Sequence, residues 1–490
     1  MATAIRKLTD QAAALDIPQA IALAERRAVS LTTMNISSLP DEILTLIFRL
    51  TQRTTMISHY AADPDEAPPP LYTGFEIIAS HVSLHWRCIA IGDPQLWVNI
   101  HLSTDSSVEE LVAYLERSQK CPLNVRLDIP RGRRLGGTFD LLTDHLYRWR
   151  SFSTGRYGNA PFMRLQNGFA PLLEHISINV DIFEWFESRP IHSDNNATQI
   201  LIAGAPNLSF VRLGGHAMSF FRPPLESMVT LHLDKAAHLP MTYQRFCHVL
   251  TASSVLANLS IHGDIMDHDE WLTITNTTSL IEMPALRSLR LCGIGGGIYC
   301  GVLLNISAPG LESLVLKDVI DPDLDKLWDL PEATAPSHKF PALNSLTFCD
   351  SACAESTYRK LFGVFPAITH FTSLNSSWKH TPSVLKLLGE CVSHPKSPGT
   401  ATLDMYPPWP NLHTITFLPH PDEASIHAMV KTRINIAHPM SKIRLGGSGN
   451  MEVWEVEWLK RCIAVESFDD VDPWPVGLTH VDNEDLFLWS

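Results

Sequence analysis

The sequence predicts an α/β protein in which a short all-helical module is followed by a curved α/β solenoid with a parallel sheet. Three observations predict it. Residues 36–102 hold two apolar helical stripes, a frame of three apolar residues recurs from about residue 170, and the intervals between copies leave room for a helix. Length and composition agree, because 490 residues exceed one small module and 45% hydrophobic with 18% charged residues suits a chain that buries a core.

Residues 1–35 read as a helical lead-in, with Leu15, Ala22 and Val29 near heptad spacing around a break at Pro18. The module proper opens at Leu39-Pro40-Asp41-Glu42. Proline suits a first helical position, and acids there meet the positive end of the helix dipole. Ile43 and Ile47 are four apart, as are Leu44 and Phe48, so this helix carries a stripe wider than one core contact requires. A second stripe, Ile78, Val82, Trp86 and Ile89, ends at Gly92 and Pro94. Between them, residues 56–74 contain Asp63-Pro64-Asp65-Glu66 and Pro68-Pro69-Pro70, a composition expected of an exposed loop that serves as a spacer or a docking site.

This pattern of Leu39-Pro40, Ile43, Ile47-Phe48, Val82, Trp86-Arg87 and Leu96-Trp97 resembles an F-box, the helical module by which substrate receptors of cullin-RING ubiquitin ligases hold their adaptor. Ser83 stands where cysteine is usual, and the spacer between the first two helices is long. The resemblance implies an adaptor-binding set of Leu39, Pro40, Ile43, Leu44, Ile47, Phe48, Val82, Trp86, Leu96 and Trp97. It also implies the S-phase-kinase-associated adaptor as partner and, through it, a cullin.

Residues 103–169 form a connecting region. A helix is expected at Val108, Leu111, Val112 and Leu115, and a strand where Leu123, Val125, Leu127 and Ile129 alternate with polar residues. From 170 to 465 the repeat frame appears at Leu173/Ile176/Ile178, Leu208/Val211/Leu213, Met228/Leu231/Leu233, Leu256/Leu259/Ile261, Leu286/Leu289/Leu291, Leu311/Leu314/Leu316, Leu343/Leu346/Phe348 and Leu412/Ile415/Phe417. Its openings match closely, as in Ala205-Pro206-Asn207-Leu208, Met283-Pro284-Ala285-Leu286, Ala308-Pro309-Gly310-Leu311 and Phe340-Pro341-Ala342-Leu343. From Leu173 to Leu343 the starts lie 20 to 35 residues apart, which is similar to leucine-rich repeats though irregular. Each unit supplies a strand and a covering helix, such as Tyr243 to Leu250 or Glu355 to Phe365, and the units bury their apolar faces by stacking.

Alternate strand residues face opposite ways, so Arg212, His232, Ser260, Arg290, Val315 and Thr347 form a column expected to point to solvent and to meet a target protein. Residues 466–490 are acidic and aromatic: no Lys or Arg follows Arg461, and Trp474, Phe487 and Trp489 stand among Asp469, Asp470, Asp472, Asp482, Glu484 and Asp485. Such a tail either caps the final repeat or binds a partner, and the apolar patch Val453, Trp454, Val456 and Trp458 just before it favours capping.

Several functions are excluded or unsupported. A formal charge of -14 opposes nonspecific nucleic-acid binding, and the basic cluster Arg131, Arg133 and Arg134 reads as a solvated loop. Nine scattered cysteines without a CxxC, no secretory segment and no membrane-length apolar run indicate a reduced cytoplasmic or nuclear setting. Gly293-Ile294-Gly295-Gly296-Gly297-Ile298 lacks the last glycine of a dinucleotide fingerprint, and Gly446-Gly447-Ser448-Gly449-Asn450 lacks that of a nucleophile elbow. Asp264, Asp267, His268, Asp269 and Glu270 match no metal-ligand spacing. The expectation is a non-enzyme with no cofactor and no metal. It is a substrate receptor of an SCF-type ubiquitin ligase, with a repeat scaffold outside any ligase, or an enzyme with an unrecognised site, as the alternatives.

Overall fold

The computed structural model describes residues 36, 39–60, 74–103, 106–128, 137–154, 162–180, 198–215, 217–234, 241–266, 271, 280–293, 296–328, 336–374, 381–390, 392–395, 403–418, 421–446, 453–468 and 474. The lead-in of residues 1–35, the basic cluster Arg131, Arg133 and Arg134, residues 61–73 of the expected loop, and residues 469–473 and 475–490 of the tail lie outside them. The chain divides into two units, residues 1–98 with 113–121 and residues 99–112 with 122–490.

The first unit is helical. Helix α1 spans Asp41–Tyr60, α2 Phe75–Val82 and α3 Leu84–Gly92, followed by a 3-10 turn at Pro94–Trp97. Helix α1 reaches Tyr60, so the expected loop from residue 56 begins later. The second apolar stripe is not one helix but two. Ser83 is fully extended (φ -156°, ψ 166°) and its Oγ accepts from the Trp86 N–H at 3.1 Å, which ends α2 and caps α3.

Leu44 and Phe48 are completely buried, and Phe48 meets Trp86 at 4.8 Å and Phe75 at 5.6 Å between ring centroids. One buried polar knot secures the unit. The Glu76 carboxylate accepts from Gln52 Nε2 at 2.6 Å and from the Tyr114 hydroxyl, while Gln52 also donates to the Leu96 carbonyl at 2.8 Å. Arg49 closes the turn after α3 with a two-pronged pair to Asp93 at 2.8 and 2.7 Å.

The second unit carries one sheet in which fourteen described strands pair in parallel and in chain order. They are β1 Asn99–Ser103, β2 Leu123–Asp128, β3 Trp149–Thr154, β4 His175–Val180, β5 Phe210–Gly215, β6 Thr230–Asp234 and β7 Asn258–His262. The others are β8 Ser288–Cys292, β9 Ser313–Lys317, β10 Ser345–Cys349, β11 His370–Leu374, β12 Thr414–Leu418, β13 Lys442–Gly446 and β14 Ala464–Phe468. The sheet therefore starts at Asn99 and not at residue 170, and residues 103–169 supply strands of it instead of a separate connection.

The shared openings are hydrogen-bonded turns. Leu208 N–H donates to Ala205 O at 3.1 Å, and the same bond recurs from Leu286 to Met283, Leu311 to Ala308, Leu343 to Phe340 and Leu412 to Trp409. Proline's fixed φ suits the second position of such a turn, which is why Pro recurs there. Strand exits repeat as well. Gly263, Asp318 and Asp350 all have positive φ, and each donates its N–H to the last carbonyl of the next strand at 2.7 to 3.0 Å. Glycine adopts that conformation freely, and aspartate tolerates it.

The three apolar residues of each frame are buried under the return segments. Phe348 of β10, for example, meets Tyr358 of helix α4 (Glu355–Val364) at 5.7 Å, and Trp409 before β12 meets Phe371 of β11 at 5.3 Å. Arg433, on helix α5 (Glu423–Asn435), is fully buried and donates to the Pro408 and Trp409 carbonyls at 2.7 and 2.8 Å, binding the helix to that turn. Among the described residues no helix is long and apolar enough to cross a membrane.

Candidate functional site

Helix α1 has two opposed stripes. Leu44 and Phe48 face the interior, while Ile43, Leu46, Ile47 and Leu50, spaced i, i+3, i+4 and i+7, run along another side. Ile43, Leu46, Leu50, and Ile78 and Val82 of α2 with Leu84 of α3, remain between 44% and 75% exposed. Single exposed apolar residues are ordinary, but six of them lie on three consecutive helices of one small unit.

Of the ten residues the F-box resemblance marks for adaptor contact, Pro40, Ile43 and Val82 are exposed, and Leu39, Ile47 and Trp86 are half-buried. Leu44, Phe48, Leu96 and Trp97 are buried and belong to the unit's own packing. Trp97 spends its N–H on the Ala90 carbonyl at 2.7 Å and lies under the Arg117 guanidinium at 4.3 Å. The stripe reading grouped both sets because spacing gives a helix's faces without saying which is covered. Leu46, Leu50 and Ile78 stand outside the set of ten although each is apolar and at helical spacing from one of its members, and exposed Leu84 stands outside it without such spacing.

On the sheet, strict register aligns the other expected set. Arg212 pairs with His232, His232 with Ser260, Ser260 with Arg290, Arg290 with Val315 and Val315 with Thr347. The expectation that this column points to solvent fails. Arg212, His232, Ser260, Arg290 and Val315 are buried, and Thr347 is half-buried.

One cover is Trp474. Its indole N–H donates to Ser288 Oγ at 2.7 Å, its ring lies 4.5 Å from the Arg290 guanidinium, and the His232 ring meets it edge-on at 5.2 Å. His232 and Arg290 are the register partners on either side of Ser260, so the indole spans the place where the row has its small side chain. Aromatic contact continues along the sheet, with Phe210 at 5.0 Å from His232 and His175 stacked on Phe210 at 4.1 Å. Trp474 thus rests on the middle strands and not at β14, where a cap for the final repeat would sit.

The protonation of this cluster follows from its donors. Arg212 has no acceptor, so the 2.9 Å contact of its terminal nitrogen with His232 Nδ1 places the imidazole proton on Nε2. Burial, then Arg212, Arg290 and His175, hold His232 well below the ordinary histidine range, and it is neutral. Asp234 balances the cations with a carboxylate oxygen 3.1 Å from Arg212 Nε. Farther along the same face, Cys292, Val315, Cys349 and Leu374 form a buried apolar cluster with Leu418 against it. Burial pushes the Cys292 and Cys349 thiols up to about 12, which makes them packing groups and not nucleophiles. Among the described residues no group of three or more His, Cys, Asp or Glu side chains is arranged to hold a metal.

No family model and no curated protein matches the chain. Among solved structures, a protein from Bacteroides fragilis aligns over 76% of this chain and 76% of its own length at 12% identity, with a TM-score of 0.27. A likeness that low carries no argument. The class of protein is therefore defined by the fold alone: a parallel α/β repeat sheet in a chain that also bears a distinct helical unit.

Proposed function

We propose that this chain is a substrate receptor of an SCF-type cullin-RING ubiquitin ligase. In this reading the helical unit binds the S-phase-kinase-associated adaptor, the sheet unit holds a target protein, and other subunits transfer ubiquitin in the cytoplasm or nucleus. The chain does no bond chemistry of its own and acts by raising the effective concentration of target lysines near the charged conjugating enzyme.

The observation that supports it most is the exposed apolar stripe of Ile43, Leu46 and Leu50 beside the F-box-like sequence, on a helix whose opposite stripe is buried. Covering a Leu or Ile fully is worth roughly 1.5–3 kcal/mol, so even the exposed fractions of these side chains supply a useful docking energy. The test is a pull-down of purified adaptor with the full chain, wild type beside Ile43→Ser/Leu46→Ser. Both substituted positions are exposed, so the fold is expected to persist. Retention by wild type and loss by the variant supports the reading, whereas a folded wild type that retains no adaptor sinks it.

A further inference from the structure

We propose that the face of β6, β7 and β8 on which Trp474 rests is a docking site for an extended protein segment bearing a tryptophan, and that this chain fills the site from within through Trp474. This deepens the target-holding half of the receptor reading. It names the kind of segment the sheet takes.

The seat is specific for indole. Ser288 Oγ accepts the indole N–H at 2.7 Å, a donor that phenylalanine lacks altogether and that tyrosine carries elsewhere on its ring. Arg290 covers a π-face at 4.5 Å and His232 closes an edge at 5.2 Å. Because His232 is neutral, the cationic contact comes from Arg290 alone among these three groups. Ser260 between them leaves the width of two strand spacings, about 10 Å, for the ring to enter.

Two other cations of this face are already matched within the sheet unit, Arg212 by Asp234 at 3.1 Å and Lys317 by Asp350 at 3.7 Å, so the indole is the feature the seat reads. In the sequence, Asp469, Asp470 and Asp472 precede Trp474 within five residues, and Pro473 and Pro475 flank it. Proline on both sides lowers the conformational freedom lost on docking.

An internal occupant competes at an effective concentration that reaches the millimolar range for a short flexible tether. An external segment with the same chemistry must exceed that competition, so the face answers only to a strong or abundant partner. The occupied state is then the resting state.

The test uses the full chain and a fluorescent peptide with the sequence of residues 468–479, followed by anisotropy. Trp474→Ala is expected to bind the peptide saturably and at least about tenfold more tightly than wild type, because the internal competitor is gone. A peptide with alanine in place of its tryptophan is expected not to bind, and Ser260→Leu added to Trp474→Ala is expected to abolish binding by filling the seat. Trp474→Phe serves where Trp474→Ala does not fold, and is expected to bind the peptide better than wild type because it forfeits the Ser288 bond. The proposal is overturned if the folded variants bind no better than wild type, or if the alanine peptide binds equally well. Neither outcome involves the adaptor, so a failed adaptor pull-down with successful peptide binding removes the receptor reading and leaves this site standing.

Discussion

Ser288 accepts a hydrogen bond from the Trp474 indole at 2.7 Å across 186 residues of sequence. Neutral hydrogen bonds contribute about 0.5–1.5 kcal/mol net, and an orphaned donor costs more when buried. Ser288→Ala is expected to destabilise the chain by about 1 kcal/mol in urea unfolding and to alter the Trp474 environment seen in near-ultraviolet circular dichroism. An unchanged unfolding midpoint would mean that the indole is not held there in solution.

Glu76 is the hub of the helical unit. Glu76→Leu removes the acceptor of both Gln52 and Tyr114, leaving two buried donors at about 1–3 kcal/mol each. Glu76→Gln keeps one acceptor oxygen and is expected to cost less. Thermal melts of the two variants should rank in that order, and equal melts would show that the knot is not structural.

His232 predicts a pH dependence with a definite sign. Its folded-state value lies below the ordinary one, so below about pH 6.5 the unfolded chain binds a proton that the folded chain refuses. The stability this group contributes is present above that pH and is lost as pH falls through it, at up to about 1.4 kcal/mol per pH unit. His232→Gln should flatten the difference in unfolding free energy between pH 7.5 and 5.5. A slope identical in wild type and variant would refute the assignment.

Gly263 occupies φ +83° at the exit of β7, where its N–H bonds the Cys292 carbonyl at 2.7 Å. A side chain there is strained by about 1–2 kcal/mol. Gly263→Val should lower the unfolding midpoint in urea accordingly, whereas Asp318→Gly at the corresponding exit of β9 should relieve strain. Opposite signs in the two variants would check the shared geometry, and a neutral Gly263→Val would contradict it.

Cysteine reactivity separates surface from core. Cys88 is exposed, while Cys292, Cys349 and Cys353 are buried with thiols raised to about 12. Iodoacetamide under native conditions should label Cys88 first and spare the other three until denaturant is added. Early labelling of Cys349 would show that the cluster of Cys292, Val315, Cys349 and Leu374 is open in solution.

In each of the eight apolar frames read from the sequence the second and third residues fall on a strand of the sheet and the first on the turn before it, because that spacing is local information. Strands carry no readable frame where one of its residues is polar or serves twice. In β3 the third place is Thr154, which donates to the Asn179 carbonyl instead of packing as an apolar group, and in β11 it is Ser373. Before β1 the first place is Trp97, absorbed into the helical motif. Met440, Ile443 and Leu445 do carry the frame at β13, but their opening lacks the recurring Pro-x-Leu turn.

The candidate sites were legible by halves. Period-two alternation aligned Arg212 through Thr347 on one face, yet nothing local in those residues revealed that the face is covered. Part of its cover comes from Trp474, and sequence spacing carries no information about a contact so remote. On α1 the same limitation appears at short range, since Leu44 and Ile43 are equally apolar and only the packing of Phe75 and Trp86 around Phe48 decides which stripe is inside.

A stack of repeats in which each strand touches only its neighbours gains stability step by step and frays from a free end. Trp474 lies six residues beyond β14 but rests on β8, so the chain returns to the sheet's middle after finishing its edge. Fraying of the last strands then works against a clasp anchored on β8. Strands β8 to β14 should exchange their amide hydrogens as one cooperative block, and releasing the clasp should turn that block back into a graded series.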